Sequence, residues 1–175
     1  MTLAKNMILA TAFALSAPVF AGGTHSRGHG FPAGEPGAAA EATRTITVEL
    51  HDNYYEPEQI EVSAGETVRF VLENKGNLVH EFNIGTPSMH EAHQEEMMMM
   101  VEHGVIQGGK LNHHMMEMDM GNGHTMKHDD PNSVLLEPGK SGEITWTFSK
   151  EGNIEFACNV PGHYQAGMYG DVKFK

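Results

Sequence analysis

Short segments in which apolar and polar residues alternate one for one most limit what this chain can fold into. Ile46, Val48 and Leu50 alternate with polar neighbours, as do Ile60 and Val62, then Val68, Phe70 and Leu72, then Ile144, Trp146 and Phe148. Leu78 to Ile84, Ser133 to Leu136, Ile154 to Cys158 and Tyr169 to Phe174 add further runs rich in β-branched and aromatic residues. Ala64-Gly65-Glu66 and Pro138-Gly139 supply turns. A period of two sends successive side chains to opposite faces, so each strand has one face to bury. Many such strands separated by Gly-containing turns predict an all-β sandwich. None of these segments has helical periodicity.

With 175 residues the chain has room for one such sandwich and some extra sequence. Residues 1–21 read as an export leader: Lys5 is basic, Met7 to Leu15 is apolar, and Pro18-Val19-Phe20-Ala21 ends in a small residue. That apolar run is too short to span a bilayer, so no membrane insertion of the mature chain is expected. Residues 22–42 are rich in Gly, Ala and Pro and read as a flexible N-terminal segment whose His25 and His29 read as solvated, with weak copper binding as the alternative. The domain itself is expected over 43–175, interrupted by an insert at 86–133. The formal net charge is −12, and loss of the leader removes one Lys and no acid, giving −13. An acidic chain without a basic run argues against nucleic acid and against anionic membrane surfaces as partners. It suits metal cations or a basic protein partner.

Cys158 is the single cysteine, so no intramolecular disulfide can form. A lone thiol in an oxidising compartment is a liability unless a metal holds it as thiolate. Its neighbours favour the metal. Cys158-Asn-Val-Pro-Gly-His163-Tyr-Gln-Ala-Gly-Met168 has the spacing Cys-x4-His-x4-Met. Thiolate and imidazole are strong donors to copper in both oxidation states, and a thioether is a weak axial donor. A second imidazole completes a His2Cys plane, and His80 in Leu78-Val79-His80-Glu81-Phe82-Asn83-Ile84 is the best candidate, because on a strand it shares the apolar face of Phe82 and Ile84. The expected metal ligands are therefore His80, Cys158, His163 and Met168. Glu81 is expected to face away from the metal. His51 is expected at the surface, at a strand end.

Residues 43–85 and 133–175 resemble the cupredoxin (blue-copper) family over nearly the whole strand framework. The resemblance rests on Ile-x-Val-x-Ala-Gly-Glu-Thr-Val from Ile60, on Val-His-Glu-Phe at Val79, and on Pro-Gly-His followed by Gly-Met at the end of the chain. It implies a Greek-key β-sandwich with one type 1 copper at one pole and the exposed edge of His163 as electron port. Many members of the family have Asn directly after the first His as a strut; here it is Glu81, so that support must differ. The spacing is also similar to the mononuclear site of multicopper oxidases, but those place His on both sides of the Cys. Ala157 and Asn159 stand there, and the chain holds one sandwich, so O2 reduction at a trinuclear cluster is not expected.

The insert has its own chemistry. It holds ten of the 13 Met and seven of the 12 His, including Met97-Met98-Met99-Met100 and His113-His114-Met115-Met116-Glu117-Met118-Asp119-Met120. Neutral thioethers favour Cu(I), and imidazole and carboxylate extend the range toward Cu(II). Met is also an adaptable packing residue, and Ala92 to Val101 can form a helix whose Met97, Met100 and Val101 cover the sandwich. Metal binding is the favoured reading of the insert, with additional Cu(I) beside the type 1 copper. Such an insert resembles the periplasmic copper-tolerance cupredoxins of the CopI type, which implies copper handling in the periplasm with a redox or copper-transport partner. A plain electron carrier is the alternative function. Oxidation of Cu(I) is a third reading for which the sequence shows no O2 site, and no enzyme activity is expected.

Overall fold

Every expected strand forms, and the structure, a computed structural model, describes residues 31–119 and 125–175. The leader read at residues 1–21, the first part of the tail, Met120 and His124 lie outside them. One five-stranded sheet runs β1 (Glu35–Pro36), β10 (Ser141–Phe148), β5 (Glu66–Asn74), β2 (Arg44–His51), β3 (Tyr54–Glu56). The other runs β4 (Gln59–Val62), β12 (Tyr169–Phe174), β11 (Ile154–Ala157), β6 (His80–Gly85), β9 (Ser133–Leu136). β2 pairs parallel with β5 and β4 parallel with β12, and the other neighbours are antiparallel. This is the β-sandwich that the alternation predicts, in the Greek-key form that the resemblance implies. The alternating residues fill it: Val48, Leu50, Val68, Phe70, Leu72, Ile144, Trp146 and Phe148 are buried from the first sheet, and Phe82, Ile84 and Phe156 from the second. Phe82 stacks on Phe156 at 5.3 Å, and Tyr55 meets Phe156 edge-on at 5.2 Å.

Part of the segment read as flexible is held in place. Ala33 is buried, its carbonyl accepts from Trp146 Nε1 at 2.9 Å, and β1 pairs with the outer edge of β10. The tract gave no strand signal because a two-residue edge strand has no periodicity to read.

The insert is also structured over its described residues. α1 (Pro87–Glu102) is followed by the hairpin β7 (Ile106–Gln107) and β8 (Lys110–Leu111), then α2 (His113–Glu117). α1 is capped at both ends. Thr86 Oγ1 accepts from Met89 N at 3.3 Å and Pro87 opens the first turn. At the other end Gly104 takes φ +71°, its N–H donates to Val101 O, and Val105 N donates to Met100 O at 2.8 Å. That is a Schellman stop, which a left-handed glycine allows without strain. Residues 90, 93, 97 and 100 fall on one helical stripe, and His90, Met97 and Met100 are buried on it. Met98, Met99 and Val101 are exposed. The packing reading thus holds for Met97 and Met100 but not for Val101. α1 packs over β6 and β11, so both strands are buried along their whole length instead of alternating. Among the described residues no helix is long and apolar enough to cross a membrane.

Candidate metal centre

The four sequence-predicted ligands arrive from two stretches of chain at one pole of the sandwich. His80 opens β6, Cys158 follows β11, and Met168 precedes β12, so the loop 158–168 folds back over the end of both strands. Cys158 N donates to Met168 O at 3.1 Å and Met168 N to His163 O at 3.0 Å, closing that loop. His80 Nδ1 lies 3.2 Å from His163 Nδ1, and Cys158 Sγ lies 3.3 Å from His163 Nδ1. His80, Cys158 and Met168 are fully buried, while His163 is partly exposed.

The hydrogen bonds outside this cluster decide which atoms face inward. His80 Nε2 lies 2.9 Å from Asp52 Oδ1, so that nitrogen carries the proton and Nδ1 presents its lone pair to the centre. Asp52 is itself fixed by the N–H groups of Asn77 at 3.0 Å and Leu78 at 3.4 Å and by Asn77 Nδ2 at 3.0 Å. These bonds, from Asn77 first and then His80, hold its carboxyl far below the usual range. Gly76 is required by close approach, because a Cβ there would stand 2.4 Å from Asp52 Oδ1 and 2.7 Å from His80 Nε2. The main-chain N–H of Glu81 points at Cys158 Sγ from 3.3 Å. Burial pushes the Cys158 thiol up, and burial lowers both imidazoles, with Asp52 partly offsetting this at His80. The lone pair of His80 Nδ1, the Nδ1 of His163 and the Cys158 thiol lie close enough to share a proton. Such a donor set fits a soft or borderline metal ion, which replaces that proton when it binds.

Behind the cluster, on the outer face of β6, lies a polar core that alternation did not foretell. Glu81 is fully buried, its Oε2 accepting from Asn159 N and Asn159 Nδ2, both at 2.9 Å. At the position where the resemblance implies an Asn, the carboxylate is thus the acceptor and the residue after the cysteine the donor. Its Oε1 meets His93 Nε2 at 2.9 Å and His128 Nε2 at 3.0 Å. Burial alone would raise Glu81; bonds from His128 and His93 override it and hold the carboxyl well below its usual range. Burial likewise works against His93, but Glu81 and Glu96 push it up to about 10. Glu81 does face away from His80's site, as expected, yet into protein and not into water, because α1 covers it. His51 is at the edge, 3.0 Å from Glu49 and stacked on Tyr54. The neighbouring Asp52, which the sequence reading passed over, is the residue that bonds His80.

The family model for the cupredoxin-like domain matches residues 7–112, more than half of the chain. A protein of Pseudomonas aeruginosa named copper-resistant cuproprotein CopI is 53% identical over 153 residues, 84% of each chain. The chain is a CopI-type cupredoxin. A cuproprotein of the same name from Rubrivivax gelatinosus is 39% identical, with 96% of this cupredoxin and 98% of that protein covered. Among solved structures, dithionite-reduced auracyanin from Roseiflexus castenholzii matches with a TM-score of 0.53 at 23% identity, over 77% of this cupredoxin and 98% of auracyanin. That likeness is one of fold.

Proposed function

We propose that this cupredoxin binds one type 1 copper through His80, Cys158, His163 and the axial Met168, and serves copper tolerance after export to the periplasm. The observation that carries the reading is the convergence of His80 Nδ1, His163 Nδ1 and Cys158 Sγ, which all lie within 4.8 Å of one another, each side chain backed by packing or by a hydrogen bond. Bound copper would supply one-electron chemistry between Cu(II) and Cu(I). The names of the relatives, copper-resistant cuproproteins, support the biological role.

The insert adds Cu(I) capture. Met97 and Met100 belong to the core, so among the described residues the exposed thioethers of Met98, Met99 and Met118, with the partly buried Met89, Met115, Met116 and Met126, are the donors left for it. Copper loading of the wild type should give an intense thiolate-to-copper band that Cys158→Ser abolishes while Cu(I) uptake persists. Saturation of the reduced wild type at a single Cu(I) would end the capture reading, and a Cys158→Ser spectrum equal to wild type would end the type 1 reading. The partial exposure of His163, beside a fully buried His80, favours a second reading as an electron carrier. That reading requires Met98, Met99 and Met118 to be replaceable by Leu with copper tolerance unchanged.

A further inference from the structure

One oxygen of the protein carries more donors than it has lone pairs. Glu81 Oε1 has His93 Nε2 at 2.9 Å, His128 Nε2 at 3.0 Å, Asn83 Nδ2 at 3.2 Å and Ser133 Oγ at 2.5 Å around it. A carboxylate oxygen has two lone pairs; His128 Nε2 also lies 2.8 Å from Ser133 Oγ and can donate there instead, which still leaves three N–H and O–H groups around Oε1. The crowding would end if the two imidazoles turned from proton donors into lone-pair donors toward a cation shared with Oε1. The three ligand atoms already lie within 4.8 Å of one another. The ring centroids of His93 and His128 are 5.2 Å apart, and both rings present Nε2 to the same point.

The surroundings are those of a built site. The side chains of Glu81, His128 and His93 are 0%, 1% and 12% exposed. His93 Nδ1 lies 3.3 Å from Glu96 Oε2, which orients the ring with Nε2 inward. His128 Nδ1 has no hydrogen-bond partner. A surface cleft of about 570 Å³, lined by Asn83, Met89, His93, Glu96, Asp130 and Asn132, opens onto His93. Its Glu96 and Asp130 give the mouth a negative field that draws cations. Three protein ligands leave one coordination position toward the cleft for water.

We propose that Glu81, His93 and His128 form a second metal site, distinct from the His80–Cys158–His163 cluster, that takes a borderline divalent cation, Cu(II) in this chain. Two imidazoles and a carboxylate suit Cu(II) and Zn(II) better than Cu(I), which the Met-rich surface suits. The site draws on the proposed function only for the choice of copper. It joins the insert to the sandwich, since His93 comes from α1, His128 from the connection before β9, and Glu81 from β6.

The test is titration of the full chain, freed of metal, with Cu(II) followed by paramagnetic resonance, and by competition with Zn(II). A second equivalent should give a tetragonal signal, without the thiolate band, showing coupling to imidazole nitrogens. His93→Gln and His128→Gln should each weaken that equivalent by at least about tenfold, leaving the thiolate band unchanged. Cys158→Ser should keep the second signal and lose the band, so failure of the type 1 reading and failure of this one are told apart. Absence of a second nitrogen-coupled equivalent in the wild type, or its survival in the His93 variant, overturns the site. If His128→Gln does not fold, His93→Gln decides alone, because His93 lies at the rim of the cleft.

Discussion

At the pole of the sandwich, donors far apart in sequence meet in space: His80 and Cys158 are separated by 77 residues, yet both lie within 3.3 Å of one atom of His163. In α1 four consecutive methionines do the reverse. Successive helical residues point about 100° apart, so Met97 and Met100 enter the core while Met98 and Met99 face water. The contrast teaches that a high density of donors along the chain is not a coordination sphere. Convergence needs strands of different sheet positions, or a helix stripe at spacing three and four, as in His90, His93, Met97 and Met100.

The largest test of this contrast is stability. Met97→Ala and Met100→Ala each remove a fully buried side chain and should cost about 2–5 kcal/mol in denaturant unfolding. Met98→Ala and Met99→Ala should stay within about 0.5 kcal/mol and lower Cu(I) uptake instead. Equal stability effects at all four positions would erase the division between packing and binding. A smaller effect is expected at the pole. Asp52→Asn can present an amide N–H to His80 Nε2 and disturb its tautomer, so copper affinity should fall by about 10- to 100-fold with the fold intact. Gly76→Ala should act in the same direction, through the clash with Asp52. The smallest lies at the opposite end of β2, where Arg44 pairs with Glu66 at 2.6 Å. Burial would raise the Glu66 carboxyl, but Arg44 and the Ser63 N–H outweigh it and hold it below its ordinary value of 4.5. A depressed carboxyl adds stability that is complete above pH 4.5 and fades as the pH falls through the lowered value. Glu66→Gln should therefore cost about 1 kcal/mol or less near neutrality, and the gap should narrow as the pH falls below 4.5, with no change in copper affinity. An altered affinity there would couple the two ends of the sandwich.

The sandwich was legible because β2, β5 and β10 bury one face each, and the Cys-x4-His-x4-Met loop because its donors are close in sequence. β6 was read as half-buried, and its outer face was missed, because alternation cannot announce that a helix inserted later will cover Glu81 and Asn83. The helix itself had signals that a composition dominated by Met and His obscured: Thr86-Pro87 at the start, Gly104 at the stop, and the stripe at 90, 93, 97 and 100. Asp52 and Gly76 carried no local signal at all, since their role exists only where the loop before β6 meets the end of β2.

The strut between Glu81 and Asn159 bears on protein engineering. Two pairs of adjacent residues, His80-Glu81 in β6 and Cys158-Asn159 just after β11, each give one member to the His80–Cys158–His163 cluster and one to the bond behind it. Residues 158–168 are therefore not a portable cassette. Transplanted into a sandwich with a neutral amide after its first histidine, Asn159 would lose the carboxylate that binds two of its N–H groups. A chimera that carries His80-Glu81 together with the loop should keep that anchorage, and with it the spectrum of the parent.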